Sequence, residues 1–154
     1  MVAGASFVIL IDNNVLVQLL TDRMASDKLV RYLQQNKSLV IPTPVVSEFL
    51  AYDFPTRVPF FMQMKSSCAQ IAPFNEKAAI ICAEFASRLD AEKANKPKQK
   101  VKIDLQIVSI AVSMNIKSIL TEDNDIKKIV ETLKLRLDVI TIADIPKDLP
   151  LFDS

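Results

Sequence analysis

The chain has 154 residues, 50% of them hydrophobic, and a formal net charge of +1 at pH 7, which suits one domain, residues 1–154, with a substantial core. It contains no histidine and a single glycine, Gly4, which excludes Ser-His-Asp, Cys-His and His-ligated zinc sites and the glycine-rich nucleotide loops. No apolar run reaches the roughly 20 residues of a membrane helix and the N-terminus carries no positive charge, so we expect a cytoplasmic protein without a membrane segment or signal peptide.

The first predicted element is the strand Phe7-Val8-Ile9-Leu10-Ile11. Because five apolar residues in succession leave no polar face, this strand is predicted to lie in the centre of a parallel sheet. Asp12 follows it directly. Ligands of open α/β sheets bind outside the carboxyl ends of the strands, so Asp12 is the first candidate functional residue.

Helical and strand-like patterns alternate through the rest of the chain. The predicted helices are residues 15–20, 26–35, 43 to 52 or 53, 55–64, 75–94, 103–114 and 125–135. The predicted strands after the first are residues 39–41, 68–74, 117–121 and 137–142. This alternation predicts an α/β fold with a five-stranded parallel sheet and right-handed crossovers.

Local details support several of these helices. The predicted helix caps are Ser26, Thr43 and Asn75. Leu29, Val30 and Leu33 are predicted to form the apolar face of the second helix, and residues 103–114 are apolar almost all round and therefore buried. Residues 95–100 are a polar stretch, and the two cysteines, Cys68 and Cys82, are interpreted as buried free thiols.

Four acidic residues lie in otherwise apolar surroundings: Asp12, Glu48, Asp104 and Asp123. Asp12 and Asp123 follow the first and fourth strands, Glu48 lies early in the helix after the second strand, and Asp104 lies in the helix before the fourth. If the first and fourth strands are neighbours and the strand order reverses between them, all four side chains can face one crevice. Each acid alone has a structural explanation, as a helix cap, an exposed helix residue or, for Asp123 and Asp125, a turn former.

Carboxylates so close together need a compensating cation, because two unit charges about 4 Å apart repel by roughly 4 kcal/mol. Oxygen ligands favour Mg²⁺ or Mn²⁺. We expect Asp12 and Asp104 to bind the ion directly and Asp123 to bind it directly or through water. Glu48 is expected to orient a water on the metal or to hold a second ion.

Three further residues are expected to support this site: Asn13, Thr121 and Asp125. Asn13 and Thr121 are neutral groups placed to fix the carboxylates. The reaction that suits such a site is metal-assisted hydrolysis of a phosphodiester, in which hydroxide attacks phosphorus and releases a 3′ hydroxyl and a 5′ phosphate.

These residues resemble the PIN-domain family, and in size and layout its VapC-like toxin ribonucleases. The matching motifs are Ile11-Asp12-Asn13-Asn14, Val45-Val46-Ser47-Glu48-Phe49, Asp104-x-x-Ile107-x-x-Ile110-Ala111 and Leu120-Thr121-Glu122-Asp123-Asn124-Asp125. Three positions depart from the family pattern. Asn13 replaces the usual threonine, Glu122 adds an acid, and Ile126 stands where phenylalanine is common.

The resemblance implies an α/β/α sandwich with a five-stranded parallel sheet and a homodimer. It also implies Mg²⁺-dependent cleavage of RNA, with tRNA as one candidate, and inhibition by a cognate antitoxin protein. One alternative is an aspartate phosphoacceptor, either a receiver domain or a haloacid dehalogenase-like phosphatase. Against it, Asn14 occupies the place of a second aspartate, and no lysine closely follows Ile142. The other alternative is a non-catalytic module that keeps the fold.

For two groups of residues, the sequence leaves two interpretations open. The lysines just before Asp104 are predicted either to contact RNA phosphates or to be an ordinary solvated loop; they are Lys93, Lys96, Lys98, Lys100 and Lys102. The phenylalanines and methionines between the second and third strands either pack in the core or line a groove for a partner; they are Phe54, Phe60, Phe61, Met62 and Met64.

Overall fold

The computed structural model describes residues 7–33, 37–92 and 98–145. Within these ranges the strands are β1 Phe7–Ile11, β2 Lys37–Pro42, β3 Ala69–Ala72, β4 Ser118–Leu120 and β5 Asp138–Ile140. The helices are α1 Asn13–Thr21, α2 Arg23–Leu33, α3 Thr43–Leu50, α4 Phe54–Ser67, α5 Glu76–Glu92, α6 Lys98–Ser113, α7 Asn124–Thr132 and a 3₁₀ helix, Ile142–Asp144.

The five strands form one parallel sheet in the order β3-β2-β1-β4-β5, flanked by helices, which confirms the predicted fold. β1 is central, and it pairs Leu10 with Val40 of β2 on one side and with Ile119 of β4 on the other. The chain moves outward through β2 and β3 and then crosses back to β4. The strand order therefore reverses between β1 and β4, where α/β sheets open a crevice at their carboxyl ends.

The hydrophobic core lies on both faces of β1, as its unbroken apolar sequence predicts. Ile9, Leu10 and Ile11 are all buried. α6 is buried on several sides, including Leu105, Ile107, Val108, Ile110 and Ala111, in agreement with its nearly uniform apolar sequence. Because both elements are fixed in the core, they are rigid supports for the polar residues at their ends. In the described ranges, no helix combines the length and apolar composition needed to span a membrane.

The second helix differs from its prediction. α2 begins at Arg23 rather than Ser26, because Asp22 accepts hydrogen bonds from the backbone N–H groups of Met24 (3.0 Å) and Ala25 (3.2 Å). Asp22 is thus the capping side chain, and the assignment to Ser26 was wrong. Val30 is 47% exposed, so it does not belong to the apolar face on which Leu29 is buried.

The other two predicted caps had different outcomes. Asn75 accepts a hydrogen bond from the Ala78 N–H at 3.0 Å and caps α5 as predicted. The Thr43 prediction was wrong, because α3 has Pro42 at its N-cap without a side-chain bond. The Thr43 hydroxyl instead accepts a hydrogen bond from the Phe74 N–H at 3.1 Å. Thr43 therefore ties the start of α3 to the end of β3.

Element lengths also differ. α4 extends over Phe54–Ser67 and is longer than the predicted short helix, while β3, β4 and β5 are each shorter than predicted. α6 begins at Lys98, so part of the predicted polar stretch is its first turn. Some aromatic and methionine side chains of α4 pack in the core, and others are exposed. Phe61 is buried, and Phe60 and Met64 pack partly against the core, whereas Phe54 and Met62 are exposed.

Candidate metal site

Asp12 is held at the switch point by both backbone and side-chain bonds. Its N–H donates to the Leu120 carbonyl at 3.1 Å, which extends the pairing of β1 with β4 by one residue. Its Oδ1 accepts a hydrogen bond from the Asn13 N–H at 2.7 Å, so Asp12 is also the N-cap of α1. The side chain is only 5% exposed, which fixes the position of this carboxylate and makes its charge expensive.

Thr121 joins the ends of the two central strands. Its buried hydroxyl donates to Asp12 Oδ2 at 2.8 Å and accepts a hydrogen bond from the Asp123 N–H at 2.9 Å. One hydroxyl therefore positions two acids that are far apart in the sequence. The role of Thr121 in supporting a metal site stays a prediction.

Asn14 makes a second bridge, which sequence reasoning did not assign. Its Nδ2 donates to Asp12 Oδ2 at 3.4 Å, and its Oδ1 accepts a hydrogen bond from the Glu122 N–H at 3.1 Å. Through these two bonds Asn14 connects Asp12, at the end of β1, to the loop after β4. The signal was the presence of Asn14 in the first motif, but its partner could not be identified before the strand order was known.

Glu122, the additional acid of the fourth motif, has a separate partner. Its Oε2 accepts a hydrogen bond from the Ile142 N–H at 2.9 Å, at the start of the 3₁₀ helix. This carboxylate is therefore used to connect the loop after β4 to the segment after β5. It is absent from the residues that line the cavity containing Asp12.

Among the described residues, three acids can present one carboxylate oxygen each, with all three oxygens within 4.8 Å of one another: Asp104, Asp123 and Asp125. Asp104 lies on α6 and is 7% exposed. Asp123 is the N-cap of α7, and its Oδ1 accepts a hydrogen bond from the Asp125 N–H at 2.9 Å. Asp125, expected from the sequence to be a supporting residue, thus lies in the group itself.

The predicted acids face one cavity of about 150 Å³. It is lined by Asp12, Asn13, Asn14, Glu48, Ile103, Asp104 and Asp123. The four predicted acids thus come from β1, α3, α6 and the loop before α7. No lysine or arginine is among the residues that line this cavity in the described part of the chain.

The electrostatics of the cavity favour protonation. Burial raises the pKa of Asp12, the hydrogen bonds from Thr121 and the Asn13 N–H lower it, and the nearby charge of Asp123 raises it further, with a net increase. Glu48 is an exposed residue, yet partial burial of its carboxylate and the charges of Asp12 and Asp123 raise its pKa as well. The protein thus pays a free-energy penalty for ionising these acids in the absence of a cation.

The donor set fits a hard divalent cation. Oxygens on opposite sides of Mg²⁺ lie about 4.2 Å apart, a separation that the three close carboxylates can provide. Beside them, Asn13 Oδ1 is buried without a hydrogen-bond partner among the described residues, so an additional oxygen acceptor is available. Carboxylate and amide oxygens are the ligand types that Mg²⁺ and Mn²⁺ prefer.

The predicted lysine cluster is not tested by the structure. Lys93 and Lys96 lie outside the described residues. The structure describes the backbone of Lys98, Lys100 and Lys102, which lie in α6, but not their side chains. The two cysteines, Cys68 and Cys82, are free and partly buried, which agrees with their interpretation as thiols.

Comparisons with known proteins agree with this geometry. The PIN domain family model matches residues 9–131. A chain of VapBC2 from Rickettsia felis, bound to a DNA fragment from its promoter, matches with a TM-score of 0.69 and 16% identity, over 88% of this chain and 98% of that one. VapBC-1 from nontypeable Haemophilus influenzae matches with a TM-score of 0.68 and 14% identity, over 90% and 100% of the two chains.

FitAcB from Neisseria gonorrhoeae matches with a TM-score of 0.62 and 16% identity, over 88% of this chain and 99% of that one. At these identities the likeness concerns the fold. The comparison with curated proteins gave no match. The family model covers well over half of the sequence and includes all four predicted acids, and the chain therefore belongs to the PIN-domain family.

Proposed function

We propose that this protein is a divalent-metal-dependent endoribonuclease that hydrolyses RNA phosphodiester bonds. The observation that carries the proposal is the convergence of acids from four separate segments on one cavity at the strand-order reversal. A structural explanation of each acid would not require them to meet, and their meeting costs free energy unless a cation is bound. The PIN-domain family supports the choice of nucleic acid as substrate.

Asp12 and Asp104 are the proposed direct ligands, joined by Asp123 and Asp125. Asp12 already accepts three hydrogen bonds, from the Asn13 N–H, Thr121 and Asn14. A carboxylate has about four lone-pair positions, so one remains for a cation. The three hydrogen bonds restrict the rotation of the carboxylate, and Asp12 is thereby preorganised for the ion.

A bound Mg²⁺ or Mn²⁺ would stabilise negative charge on the phosphodiester and ease the deprotonation of a water. Glu48 lines the same cavity as the proposed metal ligands, so its carboxylate is placed to receive that proton. A bond forms between the water oxygen and phosphorus, the bond between phosphorus and O3′ breaks, and O3′ takes up a proton from solvent. The products are a 3′ hydroxyl and a 5′ phosphate.

The finer parts of the proposal concern partners. VapBC structures share this fold, which supports the proposal of a VapC-like cytoplasmic toxin with an antitoxin partner. A homodimer and a tRNA substrate belong to the same proposal. The lysines that precede Asp104 are proposed to contact RNA phosphates, because cations there would offset the negative cavity; they are Lys93, Lys96, Lys98, Lys100 and Lys102.

The test is cleavage of an RNA pool by wild type and by Asp104→Asn, with Mg²⁺, with Mn²⁺ and with EDTA. Wild type is expected to cut only with the metals and to leave 5′ phosphate ends. Asp104→Asn is expected to lower the rate on the order of 100-fold or more, because even indirect perturbation of a metal site costs about 10- to 100-fold.

Asp27→Asn is the matched control, since Asp27 is an exposed acid on α2 and should leave the rate unchanged. Thermal melting of each variant establishes that it is folded. Equal cleavage by wild type and Asp104→Asn, or cleavage that persists in EDTA, would exclude the proposed metal mechanism. A folded wild type that cuts no RNA with either metal would favour a non-catalytic PIN-fold module.

A further inference from the structure

An aromatic side chain just after α3 is exposed although one face of its ring is occupied. Tyr52 is 70% exposed, and the guanidinium carbon of Arg57 lies 4.9 Å from the centroid of its ring. The same guanidinium lies 4.7 Å from the centroid of the Phe49 ring. Arg57 therefore occupies the space between a buried ring and an exposed ring, and the outer surface of Tyr52 is open to solvent.

Arg57 is held by a hydrogen bond as well as by its contacts with the two rings. Its Nη1 donates to the Phe49 carbonyl at 3.0 Å, at the end of α3, where the helix dipole favours a cation. Arg57 is only 9% exposed. A phosphate has little access to this guanidinium. Of Tyr52 and Arg57, the part that a ligand can contact is therefore the aromatic ring of Tyr52.

The turn between α3 and α4 produces this arrangement. Asp53 adopts left-handed backbone angles (φ 51°, ψ 53°), which cost a non-glycine residue about 1 kcal/mol or more. Its carbonyl accepts hydrogen bonds from the Thr56 and Arg57 N–H groups, both at 3.1 Å. The turn is thus held closed, and Arg57 lies under the ring of Tyr52.

The position of Tyr52 relates it to the proposed active site. Glu48, which lines the acidic cavity, precedes Tyr52 by four residues, and Ala51 keeps helical angles (φ −68°, ψ −21°). Four residues of helix rise about 6 Å, so Tyr52 lies roughly one turn from a side chain of the cavity. A nucleotide strand that passes the carboxylates can therefore place a neighbouring base within reach of this ring.

We propose that Tyr52, supported by Arg57, is a stacking site for an unpaired RNA base next to the scissile phosphate. This inference rests on the nuclease function proposed above. Every base has a π face that can stack on an aromatic ring, and the arginine beneath the ring adds a positive charge that suits a polyanionic ligand. Because Arg57 already restricts the ring, little conformational entropy is lost when a base stacks on it.

The test uses one fluorescein-labelled single-stranded RNA of defined sequence, which wild type is expected to cut at one position. Binding is measured by anisotropy in Ca²⁺, with Tyr52→Phe, which keeps the ring, and Tyr52→Leu, which keeps apolar bulk without it. Tyr52→Leu is expected to bind about tenfold more weakly than wild type, and Tyr52→Phe nearly as well as wild type. Ile80→Ala on α5 is the control for loss of an exposed apolar side chain and should not change binding.

A scan with abasic nucleotides identifies the stacked base. Removal of one particular base is expected to weaken wild-type binding about tenfold and to leave Tyr52→Leu binding unchanged, because the ring and the base act on each other. Identical abasic profiles for wild type and Tyr52→Leu would overturn the inference. The same holds if Tyr52→Leu binds RNA normally but changes the sedimentation of the protein, which would assign the ring to a protein interface.

The two proposals fail in different ways. If wild type cuts the RNA and Tyr52→Leu matches it in binding and rate, only the stacking site is wrong. If wild type binds the RNA with a Tyr52-dependent abasic profile but does not cut it, the nuclease proposal is wrong and the stacking site stands as part of an RNA-binding module. A wild type that binds no RNA overturns both.

Discussion

Two cavities in the described part of the chain differ in size and in chemistry. The larger, about 370 Å³, lies between α2, α7 and β5 and is lined by charges of both signs, including Lys127, Glu131 and Asp138, and by apolar side chains such as Val130 and Leu137. The smaller, about 150 Å³, contains charges of one sign, from Asp12, Glu48, Asp104 and Asp123. Volume alone would select the larger cavity, whereas convergent polar groups with raised pKa values select the smaller one.

The difference between the two cavities distinguishes a functional site from a cavity that only reflects packing. Opposite charges around the larger cavity can compensate each other without a ligand. The like charges that line the smaller cavity repel one another, and protons or a cation relieve that repulsion. The smaller cavity is therefore maintained at a cost in stability, a usual property of a functional site.

The largest expected effect comes from substituting one acid in each cavity. Asp123→Asn removes a charge from the group of three close carboxylates and is expected to lower RNA cleavage on the order of 100-fold. Glu131→Gln removes a charge from the larger cavity and is expected to leave the rate unchanged. The measurement is the initial rate of RNA cleavage in Mg²⁺. If Glu131→Gln alone lost activity, the active site would have to be assigned to the larger cavity.

Metal binding should stabilise the protein through the smaller cavity. At an Mn²⁺ concentration 100 times the dissociation constant, linkage adds about 2.7 kcal/mol to the free energy of unfolding. Thermal denaturation with increasing Mn²⁺ should show this stabilisation in wild type and in Glu131→Gln, and little of it in Asp123→Asn. In EDTA, Asp123→Asn should be at least as stable as wild type, because it removes a repulsive charge. A melting temperature of wild type that is insensitive to Mn²⁺ would contradict the metal site.

Thr121→Val tests the bridge between the two central strands. Valine has a similar volume but neither donates to Asp12 Oδ2 nor accepts from the Asp123 N–H. Because the site is buried, we expect a loss of about 1–3 kcal/mol in the free energy of unfolding, measured by urea denaturation, and weaker Mn²⁺ binding. Ser109→Ala is the control, since Ser109 is a buried hydroxyl on α6 that bonds to the Leu105 carbonyl and to the Cys82 side chain and does not line the smaller cavity. Mn²⁺ affinity should be unchanged in that control, and an equal loss of affinity in both variants would exclude a specific role for Thr121.

The pKa shifts predict how the metal-free protein responds to pH. The pKa of Asp12 is raised above 3.8 in the native state, so the native protein binds a proton at this site more tightly than the unfolded chain does. The resulting stabilisation is fully present below pH 3.8 and is lost as the pH rises through the native pKa. The stability deficit of wild type relative to Asp12→Asn should therefore shrink as the pH falls.

Urea denaturation in EDTA from about pH 8 to about pH 4 measures this difference. Asp12→Asn keeps an amide oxygen for the Asn13 N–H but no acceptor for Thr121 and Asn14, so the loss of those two bonds adds a difference in stability that does not depend on pH. Saturating Mn²⁺ should reverse the trend, because protons then compete with the ion for the same oxygens. A difference between the two proteins that is constant over this pH range would exclude a raised pKa at Asp12.

The parts of the fold that were predictable from sequence are those whose pattern is local and strong. The unbroken apolar run of β1 specified a central strand, and Asp12 at its end specified where the chemistry would be. Asn75 was identified as a cap because its partner is three residues away. The adjacency of the first and fourth strands was only a condition of the prediction, and the convergence of the acids depends on it.

The parts that were not predictable depend on contacts made by the tertiary structure. Val30 fits a helical apolar face by spacing, but only packing determines which side of α2 faces the core. Thr43 fits a cap by residue type, yet its hydroxyl pairs with Phe74 across the sheet edge. Asn14 and Glu122 are 108 residues apart, and their hydrogen bond exists only because β1 and β4 are neighbours.

Glu122 gives the smallest expected effect and the sharpest contrast with its neighbour. Asp123 lines the smaller cavity, whereas Glu122 accepts a hydrogen bond from the Ile142 N–H and connects two loops. Glu122→Gln keeps an oxygen acceptor and should match wild type in both stability and cleavage. Glu122→Ala should lower the free energy of unfolding by about 0.5–1.5 kcal/mol in urea denaturation.

The same Glu122→Ala protein should bind Mn²⁺ with nearly the wild-type affinity, because the loop that carries Asp123 is also held by Asn14 and Thr121. A large loss of Mn²⁺ affinity that Glu122→Gln restores would mean that the Ile142 contact positions the metal ligands. A large loss that Glu122→Gln does not restore would mean that the charge itself belongs to the site. The expected result is a change in stability without a change in Mn²⁺ affinity. Only that result would mean that Asp123 belongs to the metal site and Glu122 does not.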